Sequence, residues 1–506
     1  MLQRVLALPF IIILMGIGAA SMLIPALHAA ALHDHHVARS FFFSGLLFLT
    51  ITVFVGIAVS NNSLPNQNRS HLLAILSVLA VLPIMLAFPF YVAVGNTSFL
   101  NSYVEMVSSI TTTGATLFDD PNRLPKSVHL WRALVAWMGG FFILVTAIAI
   151  MAPMSLGGFE VLSSGEARFR AKTSIDVVWI SDGSVRLRRY ASQLFPIYAS
   201  LTAALWLFLL VLGDTPLVAL CHAMSTLSTS GISPVGGLHG GGSGWGGEIV
   251  VFLFMIFAFS RQTFSSDQVG GDYWRILRDP EFKMGVFLVL FVTTLLFLRH
   301  WIGALEVNEL GNARAAIEAF WGALFSVMSF LTTTGFESVD WNKARDWSGL
   351  ASPGIVLLGM CLIGGGVATT AGGVKLLRVY ALYKHGAREM ERMIHPTSVG
   401  GAGTAARRLR RQGAYAAWVF FMLYTISITV GVLAFSLTGQ SFESSMVFSI
   451  AALSTTGPVA DNVLGHINSY GTLNDVAKYI LAIGMVLGRL ETLVIIALFN
   501  PNFWRS

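Results

Sequence analysis

Four short segments of this chain carry the same chemistry in the same order: an apolar residue, three hydroxyl side chains and a glycine. They are Ile110-Thr111-Thr112-Thr113-Gly114, Leu227-Ser228-Thr229-Ser230-Gly231, Leu331-Thr332-Thr333-Thr334-Gly335 and Leu453-Ser454-Thr455-Thr456-Gly457. Hydroxyl residues and glycine suit a backbone that turns its carbonyls toward a common point. Glycine takes positive φ at little steric cost, and hydroxyls tether neighbouring backbone groups. A ring of such carbonyls replaces the water shell of a dehydrated monovalent cation without a fixed negative charge that would hold it too tightly.

The glycines stand at 114, 231, 335 and 457, so successive copies lie 117, 104 and 122 residues apart. That spacing is of domain size and marks an internal repeat rather than a short solenoid period. Four equivalent loops on one chain can surround one axis, and each needs its own supporting elements. The stretch before each glycine, such as 99–110 or 315–331, is apolar yet too brief to cross a bilayer, which predicts a short re-entrant helix. Such helices aim their partly negative C-terminal ends at the ion path.

Hydrophobic residues make up 55% of the 506 and charged residues 11%, with mean hydropathy +0.69, whereas soluble domains carry roughly 25% charged residues. The chain therefore reads as an all-α polytopic membrane protein. Apolar segments fall near 5–27, 40–60, 72–94, 130–153, 192–212, 248–264, 284–300, 350–374, 414–437 and 475–498. The hydroxyl-glycine loops lie between the third and fourth of these, the fifth and sixth, the seventh and eighth, and the ninth and tenth. The predicted unit is span, pore helix, filter-like loop, span. It occurs four times around one central pore (72–190, 191–283, 284–413 and 414–506), after a two-helix hairpin at 1–71. The first segment, with Arg4 before it and Ala29-Ala30-Ala31 behind, imitates a signal peptide. Its apolar run exceeds the core of about 7–15 residues such peptides carry, so it reads as an uncleaved span.

Placing the N-terminus inside gives 22 Lys and Arg in inner segments against far fewer outside, whereas Asp and Glu are more numerous outside. The basic excess orients both termini to the cytoplasm, and an acidic outer mouth would concentrate cations. The overall charge of +6 thus reflects topology, not nucleic-acid binding. The clusters Arg186-Leu187-Arg188-Arg189 and Arg407-Arg408-Leu409-Arg410-Arg411 each precede a span, where basic residues contact anionic lipid. Cys221 and Cys361 lie in apolar stretches and read as packing residues. His28, His33, His35 and His36 read as a solvated outer loop rather than a metal site. The glycine-rich stretch from Gly236 to Gly247 reads as a cover beside the second filter; it lacks the Lys-Ser/Thr ending of a phosphate loop. No His-x-x-x-His helix or carboxylate pair points to a membrane enzyme, so no catalytic residue is assigned.

Two more features sit inside spans. The run Gly364-Gly365-Gly366-Val367-Ala368-Thr369-Thr370-Ala371-Gly372-Gly373-Val374-Lys375 clusters poor helix formers, each glycine costing about 1 kcal/mol against alanine. It predicts unwound backbone below the filter, the alternative being a close-packed helix contact. Arg489 in the last span is costly unless it faces a cavity or a partner. Glu491 is two positions away and on another face, so it is a poor partner. Arg489 is read as a pore-facing barrier to cations, against a bracing contact with carbonyls of the broken helix.

Together with Trp137-Met138-Gly139-Gly140, Gly488-Arg489-Leu490-Glu491 and His395-Pro396, these motifs resemble the membrane subunit of bacterial Trk potassium uptake systems, the TrkH type of the Trk/Ktr/HKT superfamily, over essentially the full length. The resemblance implies potassium contacts at Thr112, Thr113, Gly114, Thr229, Ser230, Gly231, Thr333, Thr334, Gly335, Thr455, Thr456 and Gly457. It implies an intramembrane gate at Gly364, Gly365, Gly366, Thr369, Thr370, Gly372, Gly373 and Lys375, with Arg489. It further implies a homodimer in the bacterial inner membrane, a cytoplasmic nucleotide-binding regulatory subunit of the TrkA type, and no cofactor beyond the transported ion. Glycine at the first filter, Gly114, implies preference for potassium, since serine there accompanies sodium preference in the family. Sodium passage and proton-coupled symport stay open as alternatives.

Overall fold

Long apolar segments and glycine-interrupted ones fold differently in this chain, and that contrast builds the architecture. The computed structural model describes residues 10–59, 67–154, 158–161, 183–260, 279–306, 313–350, 353–395, 411–465 and 469–490. No strand occurs among them, and eight helices are long and apolar enough to cross a membrane. This is a multi-pass membrane protein of the expected all-helical class.

The opening hairpin is α1 (Phe10–Ala31) and α2 (His35–Val59), which pack along each other. The first repeat comprises α3 (Leu72–Val94), the short α4 (Phe99–Ile110) and α5 (Lys126–Met151). The second comprises α6 (Gly183–Val211), α7 (Pro216–Ser228) and α8 (Gly244–Ala258). In the third, α9 (Pro280–Glu306) and α10 (Ala313–Leu331) are followed by α11 (Val339–Ser348) and α12 (Gly354–Ile363). Helix α13 (Leu376–Ile394) leads to the fourth repeat of α14 (Arg411–Leu437), α15 (Phe442–Leu453), α16 (Val459–Leu464) and α17 (Asp475–Leu490).

The short helices α4, α7, α10 and α15 each end at a hydroxyl-glycine segment. Three of them begin sixteen residues before their glycine, at Ser98, Thr215 and Ser441. Ser98 and Ser441 cap by accepting from the N–H groups of Asn101 and Ser444, which satisfies donors that a helix start leaves open. At Thr215 the next residue is Pro216, which lacks that donor.

Each short helix packs on the first span of its own repeat and on the closing span of the repeat before it: α7 on α5, α10 on α8, α15 on α12 and α4 on α17. The last contact joins the fourth repeat to the first, so the four units close into a ring.

Three expectations need correction. Helix α10 runs from Ala313 over 19 residues, longer than expected, with the length and composition of a short span; it still ends at the third loop. Among the described residues of the apolar segment 350–374, the helix runs only from Gly354 to Ile363, because three glycines follow. In the segment at 248–264 the helix ends at Ala258, and residues 261–264 lie outside the described residues. Glu491, Pro396, Arg407 to Arg410 and residues 491–498 of the last expected span lie outside the described residues.

Candidate functional site: four helix ends around one axis

A helix ending with its carbonyls unsatisfied must be closed, and the four short helices close alike. The third hydroxyl residue of each triplet donates its N–H to a carbonyl five residues back: Thr113 to Ser108 (2.8 Å), Ser230 to Ser225 (3.0 Å), Thr334 to Ser329 (2.9 Å) and Thr456 to Ala451 (2.9 Å). This is the Schellman ending, which puts one residue in the left-handed region. Here that residue is the middle threonine, Thr112, Thr229, Thr333 or Thr455, with φ of 55°, 54°, 56° and 53°. A β-branched residue there is strained by about 1–2 kcal/mol. Sequence reasoning gave the left turn to the glycine alone; the backbone turns first at the threonine.

After that turn, Gly114, Gly231 and Gly335 also have left-handed φ (73°, 65° and 83°). Neighbouring loops come so close that a Cβ on Gly114 would sit 1.7 Å from Ser230 O, and one on Gly231 2.4 Å from Thr334 O. A Cβ on Gly335 would meet Pro458 at 3.0 Å, and one on Gly457 would meet Ala115 N at 2.1 Å. The four loops thus follow one another round a closed ring. First and third hydroxyls pair in three of them: Thr111 with Thr113 (2.8 Å), Ser228 with Ser230 (3.1 Å) and Thr332 with Thr334 (2.9 Å).

Gly457 departs from the expected glycine geometry. Its φ is not left-handed, its N–H donates to Thr113 O of the neighbouring first loop at 2.6 Å, and its carbonyl accepts from the Tyr470 hydroxyl at 2.8 Å.

The run from Gly364 to Lys375 is non-helical and is pressed against these loops. Its neck is pinned where Val374 and Lys375 donate to Leu362 O and Ile363 O. A Cβ on Gly364 would lie 2.1 Å from Gly372 O. Thr369 Oγ1 donates to Gly366 O, and the Lys375 ammonium donates to Ala371 O. Three contacts reach the hydroxyl-glycine segments: Thr370 Oγ1 donates to Leu227 O (3.2 Å), Gly372 N–H donates to Thr333 Oγ1 (2.8 Å), and a Cβ on Gly372 would meet Ser454 O at 2.2 Å. From below, the buried Glu281 carboxylate on α9 accepts from Val367 N–H at 3.0 Å, and Gly366 N–H donates to Ala258 O. Arg489, also buried, donates through Nη1 to Thr370 O at 2.6 Å.

Other quoted motifs find packing reasons. A Cβ on Gly139 would lie 2.1 Å from Ile110 O and one on Gly488 2.3 Å from Leu453 O, so these glycines let the closing spans rest on the pore-helix ends. His28 pairs with Ser127 Oγ (2.8 Å). Ser243 N–H at the end of the glycine-rich stretch is held by Asp214 (2.8 Å).

Behind these loops lies a set of residues that sequence reasoning missed. In three repeats the residue nine before the glycine holds the segment just after it, and in the fourth it packs on Tyr470 further along, by four different chemistries. Glu105 accepts from Leu117 N–H (2.6 Å) and Thr116 Oγ1 (2.9 Å) and pairs with buried Arg132 (2.9 Å). His222 bonds Ser233 Oγ (2.8 Å), Ser326 Oγ accepts from Ser338 N–H (3.4 Å), and Phe448 packs on Tyr470 (5.1 Å between ring centroids). Because the residue type changes, only the constant offset could have betrayed it. At the mouth beyond the third loop, burial pushes the Glu337 carboxyl up to about 7, Asn342 opposing and Asp461 adding to the rise.

Comparison with known proteins bears on this ring. The profile of a family described as "TrkH: Cation transport protein" matches residues 280–506. The chain is 30% identical over 511 residues to the Trk system potassium uptake protein TrkH of Vibrio parahaemolyticus, covering 98% of each. It is 29% identical to the protein of that name from Escherichia coli K12, covering 96% of each. Its fold matches the crystal structure of the potassium transporter TrkH from Vibrio parahaemolyticus with a TM-score of 0.81 at 27% identity, over 100% of both chains.

Proposed function

Because the chain belongs to the TrkH family of cation transport proteins, we propose that it takes potassium ions into the cell across the bacterial inner membrane, with both termini on the cytoplasmic side. The observation that carries this reading is the closed ring of four alike helix ends, each lying close against the next. The triplet and glycine carbonyls, from Thr112, Thr113 and Gly114 to their counterparts in the other loops, replace the ion's water shell. In three of the loops the first and third hydroxyls bond each other and hold the loop in shape. Without a carboxylate in the four segments, contact stays weak enough for the ion to leave.

The loop at 364–375 acts as the gate below this filter. Its contacts with the second, third and fourth loops support that role, and Arg489 both braces it and places a positive charge beneath the ion path. Regulation comes from a cytoplasmic nucleotide-binding subunit acting on a homodimer. Helix α13 continues directly from the loop and exposes Tyr383, Met390, Met393 and Ile394 beside Lys384, Arg388 and Arg392, a mixed apolar and basic face suited to docking a protein. The test is ion flux in liposomes holding the purified protein under imposed potassium, sodium and proton gradients. Uptake that follows the potassium gradient alone supports a selective pathway. Flux driven by a proton gradient would favour symport, and equal sodium flux would overturn the selectivity.

A further inference from the structure

We propose that Pro458 determines permeation: its ring covers the filter at the glycine level, and ion passage requires the Thr456–Gly457 peptide to turn and carry it aside. This rests on the reading of the four loops as a cation filter.

Up to Thr456 the fourth loop copies the other three, with the same left-handed threonine and the same N–H bond five residues back. Divergence begins at the next peptide. In the first and third loops the glycine N–H points back to its own helix, Gly114 to Ser108 O and Gly335 to Ser329 O; Gly457 instead donates to Thr113 O in the first loop. One carbonyl of the ring is thereby taken by a protein donor. The Gly457 carbonyl is also engaged, accepting from the Tyr470 hydroxyl and from Ala460 N–H (3.1 Å).

The consequence falls on the next side chain. Pro458 approaches the glycines of all three other loops: a Cβ on Gly231, Gly335 or Gly114 would lie 2.8, 3.0 or 3.7 Å from its ring. A group that the Cβ directions of three members of a ring converge on lies toward the axis of that ring. The corresponding residues of the other loops are Ala115, Ile232 and Phe336.

The fourth loop can leave this state because residue 457 is glycine. Its three counterparts hold left-handed φ of 65–83°, and glycine populates both signs of φ about equally. Adopting their geometry would return the Gly457 N–H toward its own helix, free Thr113 O and move the proline. The two arrangements form a bistable element of the kind that gates a site.

Two variants test this in liposomes holding the full chain, with potassium and caesium flux as readouts. Pro458→Ala removes most of the ring. Tyr470→Phe keeps the packing on Phe448 but removes the hydroxyl that holds Gly457 O, and it decides the matter if Pro458→Ala fails to insert. Several-fold faster potassium flux in Tyr470→Phe, with caesium admitted by Pro458→Ala, is the expected result. A conducting parent whose two inserted variants keep, or fall below, the parental flux and selectivity overturns the proposal alone. A parent and variants that all pass no cation overturn the filter reading and this proposal with it.

Discussion

Arg489, one residue from the end of the described part of α17, donates through Nη1 to the carbonyl of Thr370 at 2.6 Å, and so ties the closing helix of the fourth repeat to the loop of the third. Thr370 also donates its hydroxyl to Leu227 O in the second repeat. Three repeats therefore meet at one loop residue. The same guanidinium is a brace for the broken backbone and a buried positive charge in a span, so the two sequence readings of Arg489 need not exclude each other.

Neutralising Arg489 should therefore speed ion passage twice over, by loosening the loop and by lowering the repulsion. A charge about 5 Å from an ion at an effective dielectric of about 20 repels it by roughly 3 kcal/mol, two decades in rate before screening and movement reduce it. Arg489→Gln and Arg489→Ala are expected to raise potassium flux several-fold in liposomes. Arg489→Lys keeps the charge and one donor but loses the planar fork, and should stay near the parent. Inserted neutral variants that conduct no faster than the parent would leave only a packing role.

A Cβ at Gly114, Gly231 or Gly457 would meet backbone, and one at Gly335 the ring of Pro458, so no rotamer change of a flexible side chain relieves the cost. Gly335→Val places a β-branched residue at φ 83° against Pro458 and is expected to abolish potassium uptake. Gly114→Ser must displace Ser230 O, 1.7 Å from the new Cβ. It should widen the first loop and raise sodium permeation relative to potassium, read as the shift in reversal potential under mixed gradients. Unaltered selectivity in an inserted Gly114→Ser variant would refute the shared-ring geometry.

The repeat was legible in the sequence because the triplet and glycine recur with their types intact, and the break at Gly364 because three adjacent glycines oppose a helix. Which residue turns was not legible. Thr112 and its counterparts take a conformation that helix ends usually give to glycine, and composition favours the neighbouring Gly114 for that role. Nor could the bracing position be seen, since Glu105, His222, Ser326 and Phe448 share an offset and no chemistry. Pro458 follows the fourth glycine where the other loops have Ala115, Ile232 and Phe336, but only the packing brings it near the glycines of all three other loops.

Breaking the pair of Glu105 and Arg132 should be more damaging than removing it. Both side chains are buried and 2.9 Å apart, so Glu105→Ala strands an arginine and orphans Leu117 N–H, with an expected cost of about 3–5 kcal/mol. Thermal unfolding in detergent should show a lower midpoint for Glu105→Ala, with loss of flux. The double variant Glu105→Gln with Arg132→Met removes the stranded charge and keeps an acceptor for Leu117 N–H, so it should recover much of the loss. Equal destabilisation in the single and double variants would mean that the charge is not the cause.

Outer pH should act through Glu337, which stands two residues after Gly335 and shares the mouth with Asp461, Asn342 and Asn462. Its carboxyl is raised to about 7 by burial, helped by the charge of Asp461 and opposed by the bond from Asn342. A raised carboxyl is neutral below that value and charged above it. As outer pH falls through about 7, the mouth loses one negative charge and with it part of the local cation excess. At about 7 Å in water one charge changes an ion's energy by about 0.6 kcal/mol, roughly threefold in local concentration before salt screening. Initial rubidium uptake, measured at fixed inner pH and low outer cation, is expected to drop roughly twofold to threefold across that step. Glu337→Gln should hold the low rate at every pH. Asp461→Asn removes a charge that raises the Glu337 value, so it should move the midpoint to lower pH. A pH step that persists unchanged in Glu337→Gln would place the titrating group elsewhere.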